Sequence, residues 1–205
     1  MALTERELQT KENYDINAEV WLERSGGRNR PSFWKQEMGH LFWLLKLNSK
    51  VLEIGCGPAT DGKYLKNLGM NPVSVDYSSS MLGIAKELNP QSKLSQMDAY
   101  NLAFPNNSFD GFWATASLLH LENTGKALKE IVRITKDRGV GFISVKEGED
   151  APGIDPKTGY FFKYFTKNEF ATHLLNSGFE IIKTDSKTGT PRHDWLTYIV
   201  KVNKW

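Results

Sequence analysis

The sequence predicts an α/β fold built on a doubly wound, mostly parallel sheet with helices on both faces. Three observations carry that expectation. Short β-branched segments alternate with helical stretches through the middle of the chain, a glycine turn follows the first of those segments, and the connections between them are short. Alternation of this kind requires right-handed crossovers, and ligands of such sheets bind beyond the carboxyl ends of the strands, where the strand order reverses.

Taken in order, residues 13–24 mix polar positions with Tyr14, Ile16, Val20, Trp21 and Leu22, and Gly26 and Gly27 then break the pattern. Beyond Pro31, which suits a first helical turn, Trp34, Met38, Leu41 and Leu45 recur at helical spacing. Two helices are thus expected before the first strand. Residues 50–55 form a short apolar run closed by glycine, the pattern of a strand buried on both faces. A helix over 61–68, a strand over 71–76, a helix over 78–88 opened by capping serines, and strands over 93–97 and 109–114 follow. The spacing predicts a helix over 124–135, a turn at 136–139 and a strand over 140–146. Residues 147–162, rich in Gly, Asp, Pro and Tyr, read as a long loop over the sheet edge. Thr166 and Glu169 stand in capping-box spacing ahead of a helix over 166–177, and strands over 179–184 and 195–202 pair antiparallel, because the chain between them is too short for a parallel crossover.

At 205 residues, 40% hydrophobic and 12% aromatic, the chain can bury one sizeable core. No long linker or repeat divides it, so residues 1–205 are expected to form a single domain. Its parts are N-terminal helices in 1–48 as a candidate lid, a ligand-binding core in 49–146, and a substrate-side loop, helix and last two strands in 147–205. A formal net charge of +2 gives little grip on nucleic acid or an acidic membrane surface. The lone Cys56 excludes an internal disulfide and multi-cysteine metal sites, and fits a reducing compartment. No signal-peptide pattern or membrane-length apolar run occurs, so a cytoplasmic protein is expected.

Site chemistry concentrates in Glu53-Ile-Gly55-Cys-Gly57-Pro-Ala-Thr60. Gly55 and Gly57 permit a tight turn and close backbone approach to a ligand. Thr60 stands where a dinucleotide fingerprint has its third glycine, and Pro58 removes a donor that a phosphate would use, so a phosphate-free nucleoside fits better than a dinucleotide. Asp76, about twenty residues beyond Gly55, can accept from both hydroxyls of a ribose at the switch point; its competing role is a helix cap. Asp98 would accept from an adenine amino group, with Met81 and Ala99 on the ring, or else it is a solvated turn aspartate.

These residues, with Met97-Asp98-Ala99 and the run from Phe109 to His120, resemble the class I S-adenosylmethionine-dependent methyltransferases from about Lys50 to Lys146. The likeness is strongest to small bacterial-type members, through Ala116-Ser-Leu-Leu-His120, Lys146-Glu-Gly, Tyr160-Phe and Asp194-Trp195. The resemblance implies a Rossmann-like seven-stranded sheet with its last strand antiparallel, and S-adenosyl-L-methionine as cofactor. It implies that Glu53, Gly55, Cys56 and Gly57 line the methionine part, that Asp76 and Tyr77 hold the ribose, and that Asp98 and Ala99 face the adenine. Ala114 and Thr115 would offer backbone groups near the sulfonium. Where the family commonly has a further glycine, this chain has Pro58-Ala59-Thr60-Asp61.

The expected reaction is methyl transfer to an O or N atom of a small molecule. His120, just past the fourth strand, is the candidate base; alternatively it holds a loop carbonyl. Lys146 would attract an anionic acceptor or simply solvate a strand end. Tyr14, Trp21, Tyr160, Tyr164, Arg192 and Trp195 are candidate substrate-lid residues, with packing as their other role. Cys56 lacks an activating neighbour, and His40, His120, His173 and His193 lack metal-ligand spacing, so neither a thiol nucleophile nor a metal is expected. The rival readings are an RNA nucleotide methyltransferase, a cofactor-binding protein without catalysis, and a nicotinamide-dependent oxidoreductase.

Overall fold

The computed structural model describes residues 3–25, 33–190 and 193–204. Helices α1 (Glu5–Ile16), α2 (Ala18–Arg24) and α3 (Lys35–Leu44) precede the sheet. Then come β1 (Lys50–Ile54), α4 (Thr60–Asn67), β2 (Asn71–Asp76), α5 (Ser79–Leu88), β3 (Leu94–Gln96), β4 (Phe109–Thr115), α6 (Thr124–Ile134) and β5 (Thr135–Lys146). A two-stranded hairpin of β6 (Gly153–Ile154) and β7 (Phe161–Phe162) is followed by α7 (Lys167–Asn176), β8 (Phe179–Thr190) and β9 (His193–Val202). The seven-stranded sheet runs β3-β2-β1-β4-β5-β9-β8, parallel except for β9, which is antiparallel to both its neighbours. The order reverses between β1 and β4, as the alternation requires.

Side chains sort by the two-residue period of a strand. Leu52, Phe112 and Ile143 enter the core beneath α6 and α7, while their neighbours Val51, Trp113 and Phe142 enter the opposite core with Met38 and Leu41 of α3 and Leu65 of α4. Trp113 stacks on Phe142 with centroids 4.4 Å apart. Helix α6 buries Ala127, Leu128, Ile131 and Ile134 at three- and four-residue intervals and is capped by Asn123, whose side chain accepts from the Lys126 amide. Among the described residues no helix is long and apolar enough to cross a membrane.

Four expectations need correcting. Among the described residues three helices, not two, precede the sheet. Helix α1 starts at a capping box, in which Thr4 accepts from the Glu7 amide while the Glu7 side chain accepts from the Thr4 amide. Residues 136–139 do not separate α6 from its strand: β5 begins at Thr135, pairs with Phe109, and resumes at Val140 opposite Gly111 after an irregularity that contains Arg138 at φ 59°. The loop over 147–162 contains the β6–β7 hairpin. Strands β8 and β9 extend past their expected ends as one long hairpin. Pro31, Gly26, Gly27 and Arg192 lie outside the described residues.

Helix α1 lies across the carboxyl edge of the sheet and is fastened there by polar groups. The buried Glu7 accepts from Tyr100 Oη at 2.5 Å and from the Glu122 amide at 2.8 Å. Thr10 Oγ1 accepts from the Phe161 amide at 2.8 Å, and Asn13 donates to the Gly159 carbonyl at 2.8 Å. Asp15 accepts from Ser78 Oγ and the Ser80 amide at the start of α5.

Candidate active site

Beneath α1 and α2, a cavity of about 970 Å³ opens over the carboxyl ends of the central strands, within the size range of small-molecule sites. Its deep wall receives Glu53, Gly55, Cys56, Gly57, Asp76, Tyr77, Met81, Asp98, Ala99 and Thr115; its outer wall receives Tyr14, Trp21, His120, Lys146, Tyr160 and Trp195. Two expected residues do not line it. Ala114 is fully buried in the body of β4, and Tyr164 stands behind Phe162, ring centroids 6.3 Å apart.

The deep wall follows from backbone geometry. The amides of Gly55 and Cys56 both donate to the Val75 carbonyl, at 2.9 and 3.0 Å, which bends the chain off β1 into the turn. Gly55 and Gly57 have φ of 67° and 51°. A Cβ on Gly55 would collide with Ser117 Cβ, while one on Gly57 would project into open space. Both positions take a conformation that favours glycine, and Gly55 needs it for packing as well. Asp76 Oδ2 accepts from the Gly57 amide at 2.7 Å and Oδ1 from the Ser78 amide at 2.8 Å, so this carboxylate braces the turn and retains a lone pair on each oxygen. Ser78, not Asp76, supplies the side-chain cap of α5. Burial raises the Asp76 pKa against the lowering effect of these two bonds. Asp98 accepts from the Tyr100 amide at 2.8 Å, the turn role, with its residue still on the cavity wall.

Glu53 is buried; Oε1 accepts from the Gly62 amide at 3.0 Å and Oε2 faces Ser74 Oγ at 2.5 Å. Burial first, and then the charge of Asp61, push its carboxyl up to about 8. Asp61 opens α4 and accepts from Trp113 Nε1 at 2.9 Å and Thr115 Oγ1 at 3.1 Å. Burial pushes the Cys56 thiol well above its ordinary value, which keeps it unreactive.

On the outer wall, His120 Nδ1 lies 2.7 Å from the Phe161 carbonyl and Nε2 lies 2.9 Å from Tyr14 Oη. A carbonyl only accepts, so Nδ1 carries the proton and Nε2 accepts from the tyrosine hydroxyl. Burial, with the Lys146 charge adding to it, lowers the imidazole to about 4. Tyr14 stacks on Tyr160 with centroids 4.2 Å apart, and burial raises its hydroxyl pKa. The loop-holding role of His120 thus has its hydrogen bond, and any proton taken by this ring must pass through or displace Tyr14.

Sequence reading missed several wall residues. Arg24, Phe33, Trp34, Asp61 and Phe162 all face the cavity. Asp61 had a signal, since it opens the helix after the glycine turn; the aromatics had none beyond their type. Ser117 also lines the cavity, and its buried Oγ has no hydrogen-bond partner. It follows Ala116, whose φ of 51° swings the chain off β4.

Residues 52–143 match a methyltransferase domain family model. A demethylmenaquinone methyltransferase of Paenarthrobacter aurescens is 34% identical over 95 residues, which span 46% of this chain and 38% of that protein. The chain therefore matches well under half the length of this curated relative. Among solved structures, the cyclase SpnF superposes with a TM-score of 0.81 at 17% identity, covering 100% of this chain and 99% of that one. The 1,6-didemethyltoxoflavin-N1-methyltransferase of Burkholderia thailandensis, solved with S-adenosylhomocysteine bound, gives 0.75 at 18% identity over 100% and 93%. At such identities these structures establish a shared fold, and the matched domain holds the first two strands, the glycine turn and most of the sheet's centre. Over residues 52–143 the chain is thus similar to the methyltransferase domain family.

Proposed function

We propose that this protein transfers a methyl group from S-adenosyl-L-methionine to an O or N atom of a small molecule. The observation that carries the reading is the deep wall of the cavity, where two positive-φ glycines open the backbone to a ligand and Asp76 and Asp98 line up along the switch point. The residues present fit the cofactor. The space beyond Gly57 is empty, Ser117 Oγ lacks a partner, and four carboxyl groups, Glu53, Asp61, Asp76 and Asp98, face a ligand that carries hydroxyls, an amine and a positive sulfur. When bound, the sulfonium supplies an electrophilic methyl carbon for in-line displacement.

This chain's own residues have three tasks. Asp76 and Asp98 would orient the nucleoside through their remaining lone pairs, and Glu53 and Asp61 would complement its positive charge. Helices α1 and α2 roof the site and would exclude water, the lid role assigned to residues 1–48. Positioning of this kind does most of the work in a displacement reaction. Tyr14 Oη is already hydrogen-bonded to His120 Nε2, so an acceptor hydroxyl donating to Tyr14 would send its proton on to the imidazole. Loss of the sulfonium charge on transfer favours that new positive charge on the ring. The small-molecule reading also draws support from the enclosed shape of the cavity, and from the likeness to a demethylmenaquinone methyltransferase and a 1,6-didemethyltoxoflavin-N1-methyltransferase.

The test is calorimetric titration of the full chain with S-adenosylmethionine, S-adenosylhomocysteine and NAD, followed by incubation of extracted metabolites with cofactor labelled in the methyl group. Binding of the first two and label in a low-molecular-weight product are expected. Binding of NAD alone overturns the reading, label in RNA moves it to a nucleotide methyltransferase, and binding with no labelled product leaves a cofactor-binding protein.

A further inference from the structure

Helix α3 begins without a capping side chain: its N-cap is Trp34, and no side-chain cap hydrogen bond is made there. A residue far along the chain holds that start. Lys187, on β8, donates to the Phe33 carbonyl at 2.9 Å and to the two carboxylate oxygens of Glu37 at 2.9 and 3.0 Å. The Glu37 side chain is only 14% exposed, so losing the lysine would strand a largely buried charge. The same ammonium stands over the rings of Phe33 and Trp34, 4.4 and 5.1 Å from their centroids.

Both rings are on the cavity wall. Trp34 meets Phe33 edge-on at 4.7 Å and Trp195 edge-on at 5.6 Å. Trp195 is the register partner of Lys187 on β9, so these two side chains leave the sheet on the same face. Lys187 itself stands behind the rings: with Gln36, Glu37 and His40 it lines a separate cleft of about 170 Å³.

We propose that Lys187 is a positioning residue for the methyl acceptor, pinning the start of α3 so that Phe33 and Trp34 are fixed against Trp195 on the outer wall. This deepens the methyl-transfer reading and rests on it. The deep wall does not use the pin, because Gly57, Asp76 and Ser78 hold one another through main-chain amides. Loss of Lys187 therefore loosens the acceptor end and leaves the cofactor end in place. A wall displaced by about 1 Å is enough to cost an acceptor its alignment.

The experiment uses the full chain as wild type, as Lys187→Met, which keeps the apolar stem under the rings, and as Lys187→Arg, which keeps the charge. Hydrogen exchange of the amides in residues 33–39 should quicken at least about tenfold in Lys187→Met, while the sheet and the other helices exchange as in wild type. Calorimetric affinity for S-adenosylhomocysteine should stay within about twofold. With methyl-labelled S-adenosylmethionine in excess, the metabolite fraction that wild type labels is titrated by dilution. Lys187→Met should raise KM for that fraction about tenfold and change kcat less, and Lys187→Arg should keep both near wild type. Unchanged exchange in Lys187→Met, exchange quickened across the whole sheet, weakened S-adenosylhomocysteine binding, an unchanged KM, or Lys187→Arg behaving as Lys187→Met overturns the proposal. A wild-type chain that binds no S-adenosylhomocysteine or labels no metabolite strikes the methyl-transfer reading itself and takes the acceptor role of Lys187 with it, a failure seen before any variant is made.

Discussion

The deep and outer walls of the cavity are made by different means. On the deep wall, Gly55, Gly57, Asp76 and Ser78 hold one another through main-chain groups: Val75 receives the amides of Gly55 and Cys56, and Asp76 receives those of Gly57 and Ser78. On the outer wall, Tyr14, Trp34, His120, Tyr160 and Trp195 come from separate parts of the chain and meet through rings and side-chain hydrogen bonds. A wall fixed by the backbone tolerates few substitutions and serves one ligand. A wall fixed by side chains can change its ligand while the fold stays the same, and this fold is shared with solved structures at 17–18% identity.

The sharpest way to break this contrast is Gly55→Ala. The new Cβ meets Ser117 in a backbone conformation that L residues avoid, so S-adenosylhomocysteine binding should become undetectable by calorimetry and stability in urea should fall by about 2–4 kcal/mol. Wild-type binding would remove the rigid turn from the explanation. On the outer wall, His120→Ala should leave cofactor affinity intact and slow methylation by roughly a hundredfold. With the imidazole held near 4 in the native protein, the acid limb of the rate profile should lie well below the ordinary histidine range, because only the neutral ring accepts a proton. Wild-type turnover would leave the ring as a loop fastener alone.

A smaller effect is expected for Asp76→Ala, which strands the Gly57 and Ser78 amides and removes the ribose acceptor. Cofactor affinity should fall by about ten- to a hundredfold, corresponding to 1–3 kcal/mol for lost buried hydrogen bonds. Unchanged affinity would separate the brace from the ligand. The last test is Glu53→Gln, which retains partners for Gly62 and Ser74 and is read as a change in the pH dependence of stability. The Glu53 carboxyl is raised from the usual 4.5 to about 8, so its protonated form favours the fold. That contribution is full below about 4.5 and is lost as pH rises through 8. The variant should therefore lose less stability than wild type in denaturant melts taken between those pH values, and parallel curves would show that the carboxyl is not perturbed.

The strands were legible because burial on both faces leaves a local mark: residues 50–55 and 71–76 announce β1 and β2 almost to the residue. Helix α1 left no such mark. The groups it buries are Glu7 and Thr10, with Asn13, Tyr14 and Asp15 beside them, and they are held by hydrogen bonds to Tyr100, Phe161, Gly159, His120 and Ser78. Hydrophobic periodicity cannot see a face whose partners are polar and far away in sequence. The Thr4-to-Glu7 capping box was the available signal. For His120 the sequence left two roles open, and only the fold supplied the Phe161 carbonyl on one nitrogen and Tyr14 on the other.

By itself the sequence determined the alternation of strands and helices, the position of the reversal in strand order, and the glycine turn with its acids, since each depends on residues close together in the chain or on one strand's own period. Tertiary structure alone decided which helix roofs the cavity and how His120 is protonated. Those outcomes depend on contacts between segments far apart in the chain, such as Thr10 with Phe161, 151 residues on, where no local preference of either segment names the other.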